Sequence, residues 1–207
     1  MSARDRILSR IRKAEAPAAE HLAAPVPGIA SLEGAARIER FCAQVEAASA
    51  TLSRLDSFEA LPAALADELR QRNLPAAIRM GADPDFAHLD FGGLQVSHGP
   101  GRIEEPATLS RATFGMAETG SLVLLSGPDN PVTLTFLGET HFAVLQESDV
   151  KAGFEDVFAG LRAAGHDPRT VNFVTGPSRS ADIGQTLQLG AHGPVALHVF
   201  LVAGGVE

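Results

Sequence analysis

Residues 150–165 read VKAGFEDVFAGLRAAG. Phe154, Val157, Phe158 and Leu161 recur at helical spacing and Gly165 closes the run, which predicts a helix over Val150–Ala164. Short apolar runs flank it, Thr140–Leu145 before and Thr170–Thr175 after. A strand, a helix of this length and another strand make the unit from which parallel sheets are built. Four more runs of the same kind, Ala76–Met80, Leu94–Ser97, Ser121–Leu125 and Val195–Val202, alternate with Gly, Pro and Asp. The expected architecture is α/β, a substantially parallel sheet flanked by helices.

Upstream the texture is helical. Residues Glu33–Ala50 place Ile38, Phe41, Cys42 and Val45 on one stripe, and Ser57 reads as the N-cap of a helix running to Asn73 over Leu61, Leu65 and Leu69. The first residues stand apart. Arg4–Ala14 carries a small stripe of Ile7, Leu8 and Ile11, and Pro17, Pro25 and Pro27 mark an Ala-rich strap. The expected division is residues 1–28 as an N-terminal helix with its Ala/Pro-rich strap, and 29–207 as a single α/β domain.

Composition excludes several function classes. A chain of 207 residues is long enough to bury a sizeable core without covalent staples. Its net charge of −8 argues against a nucleic-acid partner. Cys42 is the one cysteine, so the chain alone offers neither an internal disulfide nor a four-cysteine cluster site. The seven histidines are scattered without an HxxxH or HExxH pattern, and no metal site is expected. Neither GxxxxGK[ST] nor GxGxxG occurs, so the usual nucleotide fingerprints are missing. No apolar run approaches the ~20 residues of a spanning helix and Met1–Lys13 has no signal-peptide core, which leads us to expect a soluble, cytoplasmic protein without a membrane span.

Thirteen of the 20 glycines lie beyond residue 110, and three segments there carry candidate chemistry. Ala117-Glu118-Thr119-Gly120-Ser121 sets a carboxylate beside a glycine turn at a strand entry. Glu118 there suits a nucleophile, a general base or a ligand anchor, or else a cap on local amides. Gly176-Pro177-Ser178-Arg179-Ser180-Ala181-Asp182-Ile183 follows a strand with a glycine turn, two hydroxyls and a guanidinium, an anion-binding corner unless Asp182 pairs with Arg179. Leu189-Gly190-Ala191-His192-Gly193-Pro194 holds His192 in a glycine-rich turn, where it either exchanges protons near neutral pH or bonds a nearby carbonyl. His198 falls within a strand pattern and reads as a core histidine.

At these three segments the sequence resembles the LUD family, in its lactate-utilisation branch. The family patterns A-[DE]-T-G-[ST], G-P-S-R-[ST]-A-D-I and L-G-x-H-G-P correspond to Ala117–Ser121, Gly176–Ile183 and Leu189–Pro194, in order, within a match running from Phe114 to the C-terminus. One departure is Gly138, where the family pattern ahead of Thr140-His141 has proline. The resemblance implies a fold similar to the NagB, ribose-phosphate isomerase and CoA-transferase group. It also implies a part in oxidising L-lactate to pyruvate, as an accessory component beside iron–sulfur partner proteins and with no cofactor of its own. The expected ligand is a small anionic metabolite held by Glu118, Thr119, Gly120, Gly176, Ser178, Arg179, Ser180, Asp182 and His192. Glu118 and His192 are the catalytic candidates, and Glu118 is singled out by analogy with the acyl-accepting glutamate of CoA-transferases. The alternatives are a free-standing CoA-transferase-like or sugar-phosphate isomerase-like enzyme, or a regulatory metabolite-binding module.

The separate character of the first 28 residues makes a direct prediction. Their small apolar stripe offers little burial, so deleting residues 1–28 is expected to leave the thermal midpoint within a few degrees of the full chain. Loss of folding would place Ile7, Leu8 and Ile11 in the main core.

Overall fold

The computed structural model describes residues 2–14, 31–181, 187–190 and 192–203. Helix α1, Ala3–Lys13, is capped by Ser2, whose side chain accepts from Asp5 N while Asp5 answers the Ser2 backbone. It buries no residue, and Ile7 and Ile11 are 59% and 64% exposed. The strap that follows, and Asp182, lie outside the described residues.

The main sheet is built from β1 (Thr51–Leu55), β2 (Ala77–Met80), β3 (Gln95–His98), β4 (Ala107–Arg111), β7 (Thr140–Gln146) and β12 (Ala196–Val202). Its order is β1-β12-β7-β4-β2-β3, and every neighbouring pair is parallel. Strands buried on both faces read as near-continuous apolar runs. Residues 140–145 of β7 and 197–202 of β12 are accordingly all buried. A second sheet, in the order β8-β5-β6-β9, comprises β5 (Phe114–Met116), β6 (Ser121–Leu125), β8 (Val150–Lys151) and β9 (Val171–Val174). Here β6 runs antiparallel to both β5 and β9.

Alternation of side chains sorts the core into layers. On one face of the main sheet, Leu61, Leu65 and Leu69 of α3 (Leu61–Gln71) cover Phe142, Val144, Phe200 and Val202. On the other, Phe41, Cys42 and Val45 of α2 (Gly34–Ala47), together with Leu122 and Leu124 of the second sheet, cover Ala143, Leu145, Val199 and Leu201. Beyond the second sheet, α5 (Phe154–Ala163) sets Val157 and Leu161 on Phe114, Met116 and Val123. Each fully buried side chain of this kind contributes roughly 1.5–3 kcal/mol.

The parallel α/β architecture read from the sequence is the one observed, with differences at short elements. The helix expected from Val150 begins at Phe154, because Val150–Lys151 pairs with β5 as β8. The strand after it, β9, joins the mixed second sheet, antiparallel to β6, and not the parallel one. Periodicity sets where a strand begins and ends but not which neighbour it pairs with. Ser57 precedes a 3-10 turn over Phe58–Ala60 and makes no capping bond, while α3 starts with Pro62 in its first turn. Strands β1 and β4 escaped the sequence reading because Ser and Thr interrupt their apolar pattern.

Two buried histidines are part of this core. His141 is fully buried, with Nε2 2.6 Å from Ser110 Oγ on β4. His198 lies 2.7 Å through Nδ1 from Thr51 Oγ1 and packs edge-on to Phe200 at 4.6 Å, the core placement expected of it. Burial pushes His141 down to about 4. Burial, helped by the nearby Arg72 charge, pushes His198 down to about 3. Both values fall below the unfolded 6.5, so the unfolded chain takes up protons first as the pH drops. Stability is therefore full above about 6.5 and is progressively lost toward about 4. The calorimetric midpoint is expected to fall across that window, and a His141→Gln variant should show a shallower fall.

Candidate functional site

The three sequence segments are joined through hydroxyls, backbone bonds and two glycine turns. At the entry to β6, Gly120 adopts φ +70 and its N donates to Met116 O at 2.9 Å. A Cβ on it would stand 2.5 Å from the Gln44 carbonyl carbon in the last turn of α2. Beyond β9, Gly176 adopts φ +73, and a Cβ there would collide with the carbonyl oxygen of Ala48, the residue capping α2. Only glycine combines a positive φ with so close a backbone approach. Both turns are thereby pinned to the same helix end.

Between them runs a chain of hydroxyls. Ser121 Oγ is 2.6 Å from Thr119 Oγ1 and 2.5 Å from Thr175 Oγ1, which couples the first segment to the second. The second is coupled to the third by a hairpin of β10 (Arg179–Ala181) and β11 (Leu187–Leu189), in which Arg179 faces Leu189. Ser178 is the knot. Its N donates to Pro194 O at 2.8 Å, its carbonyl accepts from Gly190 N at 3.1 Å, and its Oγ accepts from His192 N at 3.3 Å. Val195 N then donates to Glu139 O at 2.8 Å, tying the corner to the start of β7.

Arg179 and His192 are both exposed at this corner. Ser180 belongs to β10, its side chain lying outside the described residues, as does Asp182 and hence any Arg179–Asp182 pair. Glu118 stands differently. Its N donates to Ala152 O at 3.0 Å, its carboxylate lies beside Gly153 at the start of α5, and its side chain has no hydrogen-bond partner among the described residues. No described contact joins Glu118 to Ser178 or His192. The corner sits at the N-terminal ends of β1, β7 and β12 and at the C-terminal end of β9. Gly138 explains its own departure from the family pattern: a Cβ there would be 2.6 Å from Thr108 Cγ2.

One polar group went unread in the sequence. Arg111, ending β4, reaches Asp85 Oδ2 from Nε at 2.8 Å and Asp149 Oδ2 from Nη2 at 3.8 Å. Burial raises the carboxyls of Asp83 and Asp149, against the pull of the same guanidinium. These residues come from distant loops, so no local spacing unites them. Asp83-Pro84, a turn signal just past a strand, was the one available hint.

Residues 106–202, which span β4 to β12, match the LUD domain family. That stretch, a little under half of the chain, holds all three ordered segments and is where this chain is similar to the family. The chain is similar to lactate utilization protein C of Anoxybacillus flavithermus, 39% identical over 92 residues covering 41% of each chain. The protein of that name from an Exiguobacterium species is 34% identical over 105 residues, 49% of this chain and 45% of its own. An uncharacterized protein of Neisseria meningitidis serogroup B is 36% identical over 97 residues, 46% of this chain and 42% of that one. The chain thus spans about two fifths of the length of the curated relatives it matches. The crystal structure of a DUF162 family protein from Deinococcus radiodurans shares the fold, with a TM-score of 0.66 over 84% of this chain and 99% of that one at 20% identity.

The glycine turns make a prediction about assembly of the corner. Gly176→Ala combines an unfavourable φ with a backbone collision, and should destabilise the protein by at least ~1–3 kcal/mol. Chemical denaturation of the variant measures this, with Gly127→Ala, in open space, as the control that should change little.

Proposed function

We propose that the chain is a component of a lactate-utilisation system and holds a small carboxylate anion at the corner knotted by Ser178. The observation that carries the reading is the closure of three separate segments on one another, Ser121 on Thr175 at 2.5 Å and Ser178 on Pro194 and His192 at 2.8 and 3.3 Å. An α-hydroxy acid asks for two parallel donors to its carboxylate and a partner for its hydroxyl. The Arg179 guanidinium supplies the first, as lysine cannot, and the hydroxyls of Thr119, Ser178 and Ser180 supply the second. Gly120 and Gly176 keep the backbone close, with Asp182 in the same segment. His192, exposed, and Glu118, whose carboxylate has no hydrogen-bond partner among the described residues, are the groups proposed to exchange a proton. The names of the relatives supply the metabolic context.

In this reading the chain is an accessory component in the cytoplasm, and electrons travel through iron–sulfur partner proteins. Its single cysteine, Cys42, is buried and accepts from Arg54 at 3.5 Å. It cannot by itself ligate a four-cysteine cluster. The fold kinship to NagB and the CoA-transferases belongs to the same proposal, as does the division at residue 28. The exposed Ile7 and Ile11 of α1 are the part assigned to a partner.

Lactate at about 100 times its Kd should add roughly 2.7 kcal/mol to the stability of the wild-type chain. Arg179→Lys should abolish that gain while leaving the ligand-free midpoint unchanged. Retention of the lactate-induced gain by Arg179→Lys, or by Arg179→Ala, would sink the reading.

A further inference from the structure

The opposite end of the main sheet carries a separate hollow. Ligands of open α/β sheets gather beyond strand C-terminal ends. Here the relevant ends are those of β2 and the edge strand β3, which are parallel neighbours. Directly past Met80, the last residue of β2, a cavity of about 610 Å³ opens between residues 81–83, the 86–94 loop and His98 at the end of β3. That volume is in the range of small-molecule sites, ~300–1,000 Å³. None of the three segments described above lines it.

The walls restrict what fits. Phe86 and Phe91, packed in the core, supply part of the apolar lining, which suits a flat ring. The polar side chains lining the cavity are Asp83, Asp90 and His98. Asp83 Oδ1 accepts from Asp85 N at 3.0 Å and Asp90 Oδ1 from Gly92 N at 2.9 Å, so each keeps its second oxygen for a guest. His98 Nδ1 lies 3.0 Å from Gly81 O, which places a proton on Nδ1 and leaves Nε2 of the neutral ring an acceptor. The side-chain lining is therefore rich in acceptors, and a carboxylate or phosphate guest is disfavoured. The apolar remainder of the lining, from Met80, Phe86, Leu89, Phe91, Leu94 and Val96, suits a largely uncharged body. Hydroxyl donors on such a body meet both conditions.

We infer that this cavity is a binding site for a flat heterocycle carrying a vicinal diol, the chemistry of a nucleoside, with the ring against Phe86 and Phe91 and the hydroxyls on Asp83 and Asp90. The inference is independent of the anion corner and of lactate. Adenosine is the probe, titrated calorimetrically into the full chain. Saturable binding is expected, weakened at least about tenfold for 2′,3′-dideoxyadenosine, which lacks the hydroxyls that meet the carboxylates. Ala87→Trp, at the exposed mouth, should reduce adenosine binding by a similar factor with the thermal midpoint unchanged. No saturable binding at millimolar adenosine overturns the inference. So does equal affinity for the dideoxy compound, or full binding by a folded Ala87→Trp chain.

Discussion

The C-terminal end of α2 lies against the peptide groups of Gly120 and Gly176 with no room for a Cβ on either. That approach is possible because Phe41, Cys42 and Val45 sink the helix between the two sheets, 0–8% exposed. The helix thereby sets the spacing between the parallel sheet below it and the mixed sheet beside it. It also places the first and second glycine-rich segments within hydroxyl contact. Packing and site geometry here are one constraint, and a methyl group added at either turn is felt in both.

Polar groups inside the layers are paired in part. Ser110 bonds His141 and Thr108 bonds Leu134 O at 2.6 Å, while His141 Nδ1 and His198 Nε2 have no partner among the described residues. His141 and His198 remain neutral because the interior penalises their charged forms. Arg111 and its aspartates instead sit at the end of β4, where solvent still reaches them, so charge persists there as an ion-pair network. The core thus excludes charge and the rim collects it.

A parallel sheet has two chemically distinct ends, and this chain has furnished both. At the N-terminal ends, exposed cationic and hydroxyl side chains converge with backbone amides around Ser178. At the C-terminal ends, carboxylates and aromatic rings enclose a cavity. The two proposed sites thus lie at opposite ends of the main sheet, with the buried strands β7 and β12 between them.

Much of this was legible in the residues. The alternation of Thr140–Leu145, the 154–161 helix stripe and Thr170–Thr175 determined an α/β fold, because apolar period and turn residues are local properties of a chain. The three segments announced themselves through glycine, hydroxyl and charge in order. Tertiary structure alone decided which strands pair, since β9 has the same pattern as a parallel strand yet lies antiparallel to β6. It also decided that Glu118 faces Gly153 and not Ser178, and that Asp85, Arg111 and Asp149 meet at all. Those contacts join residues remote in sequence, and their energies depend on distances that no local pattern encodes.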